Sequence, residues 1–200
     1  MGDILRRRGM MALPSSSPTS EWDYEWDAGK GLLNANDNGF TVETIGSGGY
    51  GCSIVDDYMQ WRGKSSIYRR LNYESVYQTG VMEAVICAAE SQSQIQIAFS
   101  NGEHSIGARL QTSTNYNGIY LGNGLTTKLA TAVTGTKYKV RLVLKTGLLG
   151  DVYIDDTLAI ENADISSNTV TTTRVQGLGA GSGYVRSRLY SLKMKFNRTS

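Results

Sequence analysis

Period-two alternation is the feature that most restricts what this chain can fold into. Ile95, Ile97 and Phe99 alternate with Gln94, Gln96 and Ala98. Ile106, Ala108 and Leu110 alternate with Gly107, Arg109 and Gln111. Tyr138, Val140, Leu142 and Leu144 alternate with Lys137, Lys139, Arg141 and Lys145, and only Val143 breaks the polar side. Successive side chains point to opposite faces of a strand, so this pattern gives one dry face and one wet face, as in an antiparallel sheet. Asn101-Gly102, Asn117-Gly118, Asn123-Gly124 and Asp155-Asp156 read as tight turns between the runs. Further strands are expected near Phe40–Ile45, Gly51–Val55, Ile67–Tyr73, Val152–Ile154, Leu158–Ile160 and Thr171–Gln176. No long amphipathic helix is evident. Turn signals at this spacing point to an all-β sandwich or barrel. Both prolines, Pro14 and Pro18, fall in one Ser-rich stretch, so residues 19–200 contain none, as suits hydrogen-bonded strands.

Two strands depart from simple alternation. Val81–Ala89 is apolar on both parities, with only Glu83 intruding. Its second face therefore needs a cover, whether an N-terminal arm, another segment or a neighbouring subunit in a homo-oligomer. The last strand changes face: Val185 and Leu189 lead on one parity, then Leu192, Met194 and Phe196 on the other. A β-bulge near Tyr190–Ser191 would account for the slip.

Composition narrows the chemistry. One histidine, His104, rules out a His-based metal cluster within the chain, and two cysteines, Cys52 and Cys87, rule out a four-thiolate zinc site. The cysteine pair is compatible with free thiols or with a bond. A net charge of +2 is too small to mark a nucleic-acid binder. Arg6-Arg7-Arg8 is followed by only five residues before Pro14, so the start reads as no secretory signal, and no apolar run is long enough for a membrane span. The expectation is a soluble protein made in a cytoplasm, with no nucleic acid and no membrane as partner.

Several motifs resemble functional ones. Gly46 to Gly51 fits GxGxxG, but the residues after it read as strand rather than helix, which favours a hairpin loop. Asn34 to Gly39 resembles the start of a calcium loop, but its twelfth position is Ile45 instead of a bidentate Glu, which favours a turn. The acids Glu21, Asp23 and Glu25 would share one face of a strand, with Trp22, Tyr24 and Trp26 on the other. That ExDxE spacing resembles the catalytic strand of the laminarinase and lichenase family, where two carboxylates act as acid and nucleophile. Here the segment would be the first strand of the body, and the favoured reading puts its aromatics on an apolar surface and its acids in water. No metal, no cofactor and no catalytic constellation are expected, and hence no enzyme.

Loop aromatics suit sugars, because a ring covers a sugar face while neighbouring amides bond hydroxyls. Trp61, and Tyr116 and Tyr120 with Asn115 beside them, lie in or beside expected turns and are the carbohydrate-binding candidates. The alternative for Tyr120 is cross-strand packing. In the arm, Ile4, Leu5 and Met11 form a short apolar side next to Arg6, Arg7 and Arg8. So short a helix needs a partner surface to be ordered, and these six residues are the docking candidates.

The run KYKVRLVLKTGLLGDVYIDDTLAIEN and the closing strand RSRLYSLKMKFN resemble laminin-G-like or concanavalin A-like jelly-roll domains. The arm, the Pro/Ser linker and EWDYEWDAGKGLL resemble small structural proteins of tailed phages and prophages. These resemblances imply a jelly-roll β-sandwich over residues 21–200, preceded by an arm and linker over residues 1–20. They imply a non-enzymatic virion protein: a capsid decoration, head-fibre or tail-associated protein. Its arm would dock on other virion proteins while the sandwich projects outward, and host-surface or mucosal glycans are a second class of partner. A carbohydrate-binding adhesin is the alternative function, and an endo-glycosidase the third.

Overall fold

The structure is a computed structural model that describes residues 21–33, 41–45, 51–63, 68–77, 79–100, 105–122, 126–146, 149–164, 170–179 and 185–197. The arm candidates Ile4, Leu5, Arg6, Arg7, Arg8 and Met11 lie outside them, as do His104 and the motifs at 34–39 and 46–50. The described strands are β1 (Tyr24–Asp27), β2 (Thr41–Ile45), β3 (Gly51–Val55), β4 (Tyr58–Gly63), β5 (Tyr68–Tyr77), β6 (Thr79–Ala88), β7 (Ser93–Ser100) and β8 (Ser105–Thr112). They continue as β9 (Asn117–Leu121), β10 (Lys128–Ala130), β11 (Tyr138–Leu144), β12 (Leu149–Ile154), β13 (Thr157–Asp164), β14 (Val170–Gly179) and β15 (Val185–Asn197). A single 3-10 turn, Ala28–Lys30, follows β1, and the Asp27 side chain caps it by accepting from Gly29 N at 2.9 Å.

The strands form two antiparallel sheets. The first runs β13-β12-β11-β6-β15-β4-β3, and the second runs β10-β9-β8-β7-β14-β5-β2. The sheets face each other through the dry sides that alternation marks out. Ile95, Ile97 and Phe99 of β7 are fully buried against Met82, Ala84 and Ile86 of β6 and the apolar side of β11. Each fully buried side chain of this size contributes about 1.5–3 kcal/mol. At one end the layers are tied directly: the Ser187 hydroxyl donates to the Gln94 carbonyl at 2.5 Å, and the Ser93 hydroxyl to the Arg186 carbonyl at 2.7 Å.

Strand β15 has the bulge that its parity change requires. Its register against β6 shifts between Leu189 and Ser191, so Leu189 and Leu192 both reach the core. Its other edge changes partner at the same point: β4 pairs with Val185 to Leu189, and β1 pairs with Ser191 to Met194.

The second face of β6 is covered from within the chain at its far end only. Glu83 lies 3.5 Å from the Lys139 ammonium, and Val81, Glu83 and Val85 are half-buried between the neighbouring strands. At the far end the segment before β11 folds back, with Gly135 N donating to the Ala88 carbonyl at 2.9 Å. Cys87 is fully buried beneath it. Burial pushes the Cys87 thiol above its ordinary value, against the opposing pull of Arg188 and Lys137. Cys52 on β3 and Cys87 on β6 are separated by β15 and β4. Three strand spacings place them roughly 14 Å apart, too far for a disulfide, and both are free thiols.

The β12–β13 hairpin contains a buried carboxylate. Asp151 accepts from Asn162 N at 2.9 Å and lies 2.7 Å from the Lys145 ammonium. Burial pushes its pKa up, but the Asn162 amide and the Lys145 ammonium outweigh burial and hold it below the ordinary carboxylate value. A carboxyl depressed in the folded state stabilises above its unfolded pKa, and that contribution disappears as pH falls through the folded pKa. Asp151→Asn is therefore expected to cost about 1–2 kcal/mol at neutral pH. The two proteins should converge in stability as pH falls through the depressed folded-state pKa of Asp151. Urea unfolding at neutral and at acid pH checks this, and a pH-independent gap would contradict it.

Candidate functional site

The second sheet carries an unusual outer face. With Ile95, Ile97, Leu110 and Ile119 in the core, the alternate positions of β7, β8 and β9 point outward. Strand pairing then lines up Gln94 with Gln111, Gln96 with Arg109, and Arg109 with Tyr120. An outward face normally carries well-hydrated side chains, yet Gln94, Gln96, Gln111 and Tyr120 are each 5% exposed or less. Buried polar groups cost free energy unless they are hydrogen-bonded. Arg109 Nη2 donates to Gln94 Oε1 at 2.5 Å, and burial lowers the Arg109 pKa. Gln111 Nε2 donates to Ser113 Oγ at 3.4 Å, while the enclosed Gln111 Oε1 has no partner among the described residues.

Tyr116 borders this face. The β8–β9 turn closes at Ser113–Tyr116, not at Asn117-Gly118 as the sequence suggested. Ser113 N donates to the Tyr116 carbonyl at 2.8 Å, and Tyr116 N donates to Ser113 Oγ at 3.0 Å. Those two bonds end the turn early enough for Asn117 to open β9. Tyr116 is 42% exposed, and its ring meets Tyr120 edge-on, with centroids 6.3 Å apart. Asn115 is exposed beside it.

Of the carbohydrate-binding candidates, Asn115, Tyr116 and Tyr120 thus come together. Trp61 does not, and its expected position in or beside a turn is corrected. It lies inside β4, in the other sheet, 2% exposed and packed in the core. A ring enclosed in this way offers no face to a sugar in solvent. Sequence reasoning missed Gln94, Gln96, Arg109 and Gln111, which it took for an ordinary wet side. The available signal was residue type, since three of these four outward positions hold glutamine.

The carboxylate segment serves mainly to hold β1. Asp23 accepts from Phe196 N at 2.6 Å, and Glu25 lies 3.8 Å from the Lys193 ammonium. Asp155 and Asp156 form the β12–β13 turn, both with positive φ, and Asp155 accepts from Lys139 N at 2.9 Å. Among the described residues, no group of three or more His, Cys, Asp or Glu side chains is placed to hold a metal. A groove of about 350 Å³ lies at the end of the first sheet, lined by Thr79, Gly80, Val81, Val143, Leu144 and Lys195, with Lys195 as its one ionisable lining group.

The chain matches no protein-family model and no curated protein. Solved structures do resemble it. A sialidase superposes with a TM-score of 0.67 at 13% identity over 87% of this chain, which spans only 18% of that protein's length. The carbohydrate-binding module CBM66 of Bacillus subtilis matches 77% of this chain and 94% of its own, with a TM-score of 0.54 and 13% identity. The fold is a concanavalin A-like jelly roll. An alginate lyase from Corynebacterium sp. shares it, with a TM-score of 0.54 and 13% identity over 73% of this chain and 81% of that one. The expectation that the chain is not an enzyme is therefore corrected. The sialidase contains such a sandwich within a much longer chain and the alginate lyase shares it over most of its length, so this fold does not exclude catalysis.

Proposed function

We propose that this jelly roll binds carbohydrate on the outer face of its second sheet, with Tyr116 as the exposed aromatic platform. The carrying observation is that Tyr116 and Asn115 are exposed together at the border of that face, above a buried floor of Gln94, Gln96, Gln111 and Tyr120 with the half-buried Arg109. An exposed tyrosine ring beside an amide suits a sugar ring and its hydroxyls. The likeness to a carbohydrate-binding module supports the same reading.

Tyr116→Ala is expected to weaken glycan binding about tenfold, the size of one aromatic contact. The ring is largely exposed on a turn, so thermal stability should stay close to wild type. Glycan-array screening followed by calorimetry on the best ligand measures this. Failure of every glycan to bind, or unchanged affinity in the variant, would remove the reading.

A virion placement, with the arm docked on a capsid or tail protein, rests on the sequence resemblance of the arm and the EWDYEWD segment. Mass spectrometry of purified particles tests it, and absence of the chain from them would end it.

A further inference from the structure

A glutamine in the β6–β7 turn holds a backbone conformation that favours glycine. Ser93 N donates to the Glu90 carbonyl at 3.2 Å, which closes a four-residue turn with Gln92 in third place. Gln92 has a φ of 71°. A positive φ at that place belongs to glycine, which has no Cβ to clash. Among the described residues, the other non-glycine positions with positive φ are Asp56, Asp155, Asp156 and Asn162. Short Asp and Asn side chains tolerate this region by bonding the local backbone. Gln92 makes no such bond: its side chain is exposed, and it is its backbone N that donates, to the Thr112 carbonyl.

The turn cannot relax, because other elements hold it. Besides the Gln92–Thr112 bond, Thr112 Oγ1 donates to the Glu90 carbonyl at 2.7 Å. Ser93 Oγ donates to the Arg186 carbonyl at 2.7 Å, and the Arg186 guanidinium lies 3.2 Å from the Glu90 carboxylate. Strain of this kind persists where the surroundings over-determine it, and it clusters at ligand clamps.

The same bonds set Gln92 beside the Tyr116 turn. Thr112 receives Gln92 on one side of β8 and pairs with Asn117 of β9 on the other. Two strand spacings therefore separate Gln92 from Asn117, roughly 10 Å. Tyr116 directly precedes Asn117, so one oligosaccharide can meet both the Tyr116 ring and the Gln92 amide.

We infer that Gln92 is a further glycan-binding residue and that the ligand is an oligosaccharide, with one sugar on the Tyr116 ring and hydroxyls of a neighbouring sugar bonded to the Gln92 amide. This rests on the carbohydrate-binding reading above. The held turn presents the amide in a fixed place, so little ordering is left for the moment of binding.

The test uses the whole chain and calorimetry with cellohexaose, laminarihexaose, mannohexaose, an alginate hexamer and a sialylated trisaccharide, then compares variants on the tightest of them. Gln92→Gly removes the amide and relieves the backbone. Its affinity should fall about fivefold, the size of one or two neutral hydrogen bonds, while its melting temperature rises by about 2–4 °C. Gln92→Ala removes the amide and keeps the strain, so its affinity should fall equally without the rise. Wild-type affinity in either variant, while Tyr116→Ala still weakens binding, overturns the inference and leaves the glycan reading intact. A lower melting temperature in Gln92→Gly shows that the turn holds no strain and also overturns it. Binding of no sugar in the set overturns both readings.

Discussion

Trp61→Ala is expected to cost about 3–5 kcal/mol of folding stability, the usual range for removing a large aromatic from a core. The ring is 2% exposed in the body of β4, between Cys52 of β3 and Ser187 of β15. In a chain of this size that loss lowers the melting temperature by roughly 6–20 °C. Trp61→Phe should behave differently. The indole N–H is buried with no acceptor, and an unpaired donor costs about 1–3 kcal/mol. Phenylalanine removes that donor and keeps most of the ring, so its net cost should stay within about 1 kcal/mol. Thermal and urea unfolding measure both variants. Glycan binding in Trp61→Phe should equal wild type, and any loss in Trp61→Ala should follow the unfolded fraction. A stable Trp61→Ala protein that has lost binding would return Trp61 to the glycan site.

The misplacement of Trp61 has a physical cause. Alternation identifies strands well where one face is dry, which is why β7, β8 and β11 could be read from their residues. It places turns poorly, because a turn depends on local hydrogen bonds and backbone sign. Asp155-Asp156 joins β12 to β13, since Ile154 pairs with Thr157. Asp56-Asp57 joins β3 to β4 in the same way, since Val55 pairs with Tyr58, and Asp56 has a φ of 51°. The second Asp-Asp turn fixes the start of β4 at Tyr58 and places Trp61 inside a strand. The shifted β8–β9 turn has a similar cause, because the Ser113 hydroxyl outcompetes the Asn-Gly signal.

The candidate site was half legible. Tyr116, Tyr120 and Asn115 stood out as aromatics and amides near a turn. The floor beneath them did not, because period-two alternation tells which way a side chain points but not whether that direction is hydrated. Register supplied the missing information. Only strand pairing shows that Gln94 meets Gln111, that Gln96 meets Arg109, and that Arg109 meets Tyr120 across three strands. The bulge in β15 was legible for the opposite reason. A parity change leaves a direct trace in the order of Leu189, Leu192, Met194 and Phe196.

Trp26→Ala should lose stability on the same scale, about 3–5 kcal/mol, by a different route. Strand β1 has four residues and one partner, β15. Backbone pairing of that length is marginal without a side-chain anchor. Trp26 is that anchor: it is 2% exposed, pairs across to Leu192, and donates from Nε1 to the Gly31 carbonyl at 2.9 Å. Truncating it leaves a cavity and releases the 3-10 turn at Ala28–Lys30. It also frees Asp23 from the Phe196 amide. Beyond the bulge, β1 is the neighbour that covers one edge of β15, and β15 carries Leu192 and Met194 into the shared core. The loss should therefore be global: a lower urea midpoint with an unchanged denaturant slope. Hydrogen exchange distinguishes the alternative. If β1 peels away alone, the Phe196 amide loses protection while the β7 and β11 amides keep theirs, and a melting temperature within about 2 °C of wild type would show β1 to be an appendage.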